Sequence, residues 1–139
     1  MLNLIKFGLN TQFIDMEINL YDLPKISLNK WYAGVHWTKR KEIKDTYKLL
    51  IKSQFKQVLS KDNQYEVEYI FFFRIKPLDA SNCVAMVKLI EDVIFEDDKW
   101  NIVLSIKIKS IKSKEDRVLI KLKEIQKVTN IKKKELNNE

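Results

Sequence analysis

Cysteine, histidine, proline and glycine are all scarce in this chain. One cysteine, Cys83, leaves no partner for an internal disulfide and excludes a zinc site built on several thiolates. One histidine, His36, excludes any metal site or catalytic triad that draws on a pair of histidines. Two prolines and two glycines in 139 residues exclude collagen-like and low-complexity chains. The longest apolar run, Tyr69 to Phe73, is far too short to cross a bilayer. The opening "MLNLIKFGLN" has no basic stretch ahead of an apolar core and no small-residue cleavage site, so no secretory leader is expected. A lone thiol and no leader fit a reducing cytoplasm.

What is present is a 45% hydrophobic composition, enough for one domain with its own core, expected over residues 1–128 and followed by a charged tail, 129–139. Charge is unevenly spread around the net +7. Residues 1–35 are neutral, with three basic and three acidic groups. Residues 36–61 carry eight basic against two acidic groups, and 62–98 carry three against nine. Residues 99–134 carry twelve against three, and the last five residues add two negative charges. An acidic centre thus lies between two basic arms. Basic surface suits phosphate backbones, and an acidic island within it suits a metal cation. Together they point to an enzyme that cuts or joins nucleic acid. A lysine-rich surface encoded by an AT-rich genome accounts for composition alone equally well.

Periodicity predicts the order β-α-β-α-β-β. In "FIDMEINLYD", Ile14, Met16, Ile18 and Leu20 alternate with polar residues as a half-buried strand. "LPKISLNKWYAGVHW" reads as a long loop. A helix with Thr38 as N-cap follows to about residue 59, with Ile43, Tyr47, Leu50, Ile51, Phe55 and Val58 on one face and lysines largely on the other. "YEVEYIFFFRIK" is a strand with apolar residues on both faces, hence internal to a sheet. A helix over about Ala80–Ile94 puts Cys83, Val87, Ile90 and Ile94 in one stripe. "WNIVLSIKIKS" and "RVLIKLKEI" alternate as strands, and the turn "SKED" between them predicts a hairpin. The fold class is α+β: a single small domain, a mixed β-sheet with two main helices packed on it.

The acidic groups sit at the two ends of the second helix. Asp79 opens it, and Asp97 and Asp98 follow its end. A magnesium ion that activates water for phosphodiester hydrolysis takes hard oxygen ligands of this kind. A helix of that length is about 22 Å long, so its ends meet only if the following strand carries Asp98 back or a dimer axis joins them. The alternative is plain: Asp79 or Ser81 caps the helix and Asp97–Asp98 is a solvated turn. Lys88 is either a cation beside a phosphate or a solvent-facing partner of Glu91 and Asp92. Trp31, Tyr32 and Trp37 are either core or dimer aromatics, or stacking groups for unpaired bases. His36, in "HWTKR" at a helix start, is either a phosphate contact or a packed loop residue.

"LDASN", then "KLIED", then "EDD" resembles the active region of the RusA-like Holliday junction resolvases, whose pattern is Asp-x-Asp-Asn, a helical lysine and an Asp-rich loop. "SLNKWYAGVHWTKRKEIKDTY" is similar to the N-terminal part of phage members. The resemblance runs from about Pro24 to Asp98. It implies that Asp79, Lys88 and Asp98 are catalytic, that Asp79, Asp97 and Asp98 hold Mg²⁺, with Mn²⁺ as a substitute, and that Asn82 is the pattern's asparagine. It further implies a homodimer acting on branched DNA, with no membrane and no small-molecule substrate. Asn29, Lys30, His36, Lys39, Arg40, Lys41, Lys44, Asn82, Lys107 and Lys109 are the expected DNA contacts. Two departures stand out: Ser81 replaces the second aspartate, and Lys88 lies about one helical turn further from Asn82 than the pattern has it.

Overall fold

The computed structural model describes residues 3–7 and 11–127; the charged tail lies outside the described residues. Five strands form one mixed sheet in the order β1-β2-β5-β3-β4, with helices on one face. The strands are β1 (Asn3–Phe7), β2 (Thr11–Tyr21), β3 (Gln64–Phe73), β4 (Val103–Lys112) and β5 (Arg117–Lys127). The helices are α1 (Leu28–Tyr32), α2 (Trp37–Gln54) and α3 (Val84–Ile94), the last preceded by a 3₁₀ turn, Ala80–Cys83. The α+β class holds, with two additions to the expected order: β1, antiparallel to β2, and the short α1 inside the segment read as a loop.

The expected hairpin of the last two strands does not form. β3 lies between them, parallel to β4 and antiparallel to β5. The reason is the burial demand of β3. Tyr65, Val67, Tyr69, Phe71 and Phe73 all face the helices and are buried, so this strand requires a neighbour on each side. The "SKED" turn therefore arches over the end of β3 instead of joining adjacent strands. Ser113 donates its N–H to the Phe73 carbonyl at 2.8 Å, and Asp116 accepts the Arg74 N–H at 2.9 Å. The chain from β3 through α3 to parallel β4 is then a βαβ crossover.

α2 starts and stops earlier than the apolar spacing predicts. His36, not Thr38, is the N-cap, its Nδ1 accepting the Thr38 N–H at 3.3 Å. The helix ends at Gln54, whose side-chain amide bonds both the N–H and the C=O of Tyr21 on β2. Beyond it, Leu59 pairs with Phe95 in a short parallel bridge, and Val58 is left half exposed. Tyr47 and Ile51 anchor the helix in the core, and the Tyr47 hydroxyl donates to the Pro24 carbonyl. Burial pushes that hydroxyl's pKa well above the ordinary tyrosine range. Tyr47→Phe is expected to cost about 1 kcal/mol of stability, the usual value of one such bond, read from urea unfolding midpoints. An unchanged midpoint would remove the bond from the list of supports.

The other sheet face carries charge. The register sets Glu17, Lys121, Glu68 and Lys107 side by side across four strands. Lys107 pairs with Glu68 at 3.6 Å. The lysines of this arm thus alternate with carboxylates, which offsets much of the positive charge seen in the sequence.

Candidate functional site

The two ends of α3 stay apart. Asp79 is exposed and caps the 3₁₀ turn through its backbone: its carbonyl accepts from the N–H groups of Asn82 and Cys83, and its carboxylate makes no capping bond. The strand after the helix does return to this end, but it delivers Ser110, whose hydroxyl donates to the Leu78 carbonyl. Ser110 also bonds Cys83. Burial, with Asp79 adding to it, pushes the Cys83 thiol up to about 11, so it is a neutral core group. Asn82 accepts the Asn29 N–H at 3.3 Å, so these two expected DNA contacts meet and tie α1 to the 3₁₀ turn. Ser81, in the place of the pattern's second aspartate, is exposed.

Asp98 instead folds back beside α3. With Val84, Val87, Lys88, Glu91 and Val103 to Ile106 of β4, it lines a cleft of about 300 Å³ between the helix and the edge strand. Asp97 is turned elsewhere, accepting the Lys99 N–H at 3.2 Å and pairing with the Lys99 ammonium at 3.3 Å. The buried polar residue among those lining the cleft is Glu91, which has 5% of its surface exposed. Tyr69 on β3 donates its hydroxyl to Glu91 Oε1 at 3.0 Å. Burial raises the Glu91 pKa, the Tyr69 bond and Lys88 oppose the rise, and Asp98 and Asp92 add to it. Asp92 is also raised, by desolvation first and then by Asp98, against Lys44 and Lys88. Glu91 is the functional candidate that the sequence motif passes over. Its signal was there: it lies seven residues beyond Val84 and four beyond Val87, a buried position on an apolar helix face.

Among the described residues, no group of three or more histidine, cysteine, aspartate or glutamate side chains is placed to hold a metal ion. Magnesium needs fewer, since it keeps several waters and commonly takes one or two carboxylates with phosphate oxygens. Asp98 raises the proton affinity of both Glu91 and Asp92.

The raised Glu91 has a consequence for stability. A carboxyl whose folded pKa lies above its ordinary value of 4.5 stabilises the fold fully below that value and loses this contribution as pH rises through the folded pKa. Glu91→Gln keeps an acceptor for Tyr69 and removes the charge. It is expected to melt higher than wild type at pH 8 and to narrow the wild-type fall in Tm between pH 5 and 8. A variant that melts lower at pH 8 would refute the reading of Glu91 as a strained buried carboxylate.

The basic residues frame this cleft from α2. Trp31, Arg40, Lys44, Lys88 and Asp92 line a second depression, between α1, α2 and α3. The Arg40 guanidinium donates to the Trp31 carbonyl at 2.6 Å and lies 5.2 Å from its ring centroid. Its Nε is buried without a partner. Lys30, Lys39, Lys41 and Lys44 are exposed; among the described residues, only Lys39 of these four has an ion pair, a weak exposed one with Glu42 at 3.5 Å. His36 is used as the α2 cap and also pairs with Thr38 Oγ1 at 2.8 Å. Lys107, and by strand alternation Lys109 with its opposite side to Ile108, belong to different surroundings from α2: Lys107 points with Glu68 to the open sheet face. The expected DNA contacts are therefore split between two faces, with most on the helix side.

No family model and no curated protein matches the chain. Among the described residues no helix is long and apolar enough to cross a membrane.

Proposed function

We propose that this chain is a divalent-metal-dependent endodeoxyribonuclease acting on branched DNA as a homodimer in the cytoplasm, as its resemblance to the RusA-like resolvases implies. The observation that carries the reading is a cleft between α3 and β4 lined by Asp98, Glu91 and Lys88, with Lys88 shared by a second depression that Arg40, Lys44 and Asp92 line. Asp98 and Glu91 would hold Mg²⁺, which when bound supplies an activated water and neutralises charge on the phosphate. Lys88, exposed at the rim of both depressions, stabilises negative charge on the scissile group. Arg40 and Lys44 hold the neighbouring phosphate. A two-fold dimer matches the two symmetry-related strands of a four-way junction.

A second reading, a binding module of the same fold that does not cut, is favoured by Ser81 and by the separation of Asp79 from Asp98. Thermal melting with added Mg²⁺ separates the two. An ion bound only to the folded state raises Tm with concentration. Wild type is expected to show that rise and Asp98→Asn to lack it; equal shifts in both would take the ion away from Asp98.

A further inference from the structure

The turn from α1 to α2 displays aromatic side chains that the core does not use. Tyr32 is 73% and Trp37 is 70% exposed, against a core that buries Tyr47, Tyr65 and Tyr69 almost completely. Gly34, at φ +105°, makes the tight turn between them. Trp37 meets the His36 ring at 5.7 Å between centroids, tilted by 34°. Lys30, Lys39 and Lys41 stand on the same two short stretches of chain, and the Arg40 guanidinium of the second lies over the Trp31 ring of the first.

Two exposed rings that add no packing to the fold, set in one turn among the four cations Lys30, Lys39, Arg40 and Lys41, suit a partner that is both aromatic and anionic. An apolar protein surface would not match the charge. A polyanion with flat unsaturated faces matches both features. We propose that Tyr32 and Trp37 form a stacking platform for the unpaired bases of single-stranded DNA, with Lys39, Lys41 and Arg40 contacting the backbone beside them. Bases in a duplex are already stacked on one another and present only edges to the grooves, so the platform selects unpaired strands. Stacking is sequence-tolerant because every base has a π face. The proposal does not depend on cleavage: a protein without nuclease activity would still carry the platform.

The test is binding of fluorescein-labelled oligothymidylate, compared with a blunt duplex, to the full chain in EDTA. The double variant Tyr32→Ala, Trp37→Ala is expected to weaken oligothymidylate binding by about tenfold or more. Duplex affinity should stay within about twofold. Trp37→Phe, which keeps an aromatic face, should retain most of the affinity. Trp100→Ala removes an indole that is 86% exposed elsewhere and should change neither. Unchanged oligothymidylate affinity in the double variant, or an equal loss for duplex, overturns the proposal. So does a sedimentation profile in which the double variant turns a dimer into a monomer, because the aromatics would then be an interface between copies. Melting curves keep the comparison valid, since exposed side chains leave Tm near the wild-type value.

Discussion

Affinity for a four-way DNA junction is expected to fall roughly a thousandfold or more between about 50 and 200 mM salt, the range over which proteins with six or more phosphate contacts lose that much. The cause is counterion release: each phosphate neutralised by a lysine or arginine frees a condensed cation, and salt opposes that gain. The structure sharpens which lysines contribute. Lys41, Lys44 and Lys48 of α2 are exposed and have no ion pair among the described residues. Lys107 is paired with Glu68, and Lys121 sits between Glu17 and Glu68 on the open face. Lys41→Ala or Lys44→Ala should therefore lower the slope of log affinity against log salt by about one. Lys107→Ala should leave it nearly unchanged. Salt-independent affinity, or equal slopes lost at Lys44 and Lys107, would contradict binding through the α2 side.

Asp98→Asn is expected to lower junction cleavage by about a hundredfold or more while leaving binding intact or tighter. The lost oxygen charge weakens a hard-cation site, and ion-derived stabilisation of the transition state is worth several kcal/mol. Removing a negative charge that faces a polyanion does not harm binding. Asp79→Asn is the informative companion. Asp79 stands at the other end of the helix from Asp98, so a loss of equal size would place the Asp79 of a second protomer in the site. A silent Asp79→Asn would leave it as the residue that opens the 3₁₀ turn. Binding is read by gel shift in EDTA, cleavage by product formation in Mg²⁺.

Much of the fold was legible in the sequence because period and burial agree there. The alternation of Tyr65 to Phe73 with apolar residues on both faces marked an internal strand, and β3 has a neighbour on each side. The stripe Cys83, Val87, Ile90 and Ile94 marked the buried face of α3, and all four are buried. Strand partners were less legible. "SKED" has the length of a hairpin turn, and nothing local says that β3 will enter between the strands it joins. That choice is made by the apolar side chains of β3, which lie about forty residues away in sequence. The α1 helix was hidden in a segment read as loop because it is only five residues long and, beyond its local Ser27 cap, it is held by Asn82, far along the chain, which accepts the Asn29 N–H in its first turn. For the site, the motif led to Asp79, Asp97 and Asp98 by spacing, and spacing says nothing of direction. The turn after α3 points Asp98 back along the helix, pairs Asp97 with Lys99 and leaves Asp79 at the far end. Glu91 was bypassed because a charged residue beside Asp92 and Lys88 reads as solvent-facing until its helical neighbours Val84 and Val87 are seen against β4.

The most direct measurement is strand cleavage of a synthetic four-way junction by the purified wild-type chain in millimolar Mg²⁺, with EDTA and a linear duplex as controls. Metal-dependent resolution predicts paired nicks in opposing strands at the branch point, none in EDTA, and little cutting of the linear duplex. A chain that binds the junction tightly and leaves every strand whole in Mg²⁺ and in Mn²⁺ would contradict it.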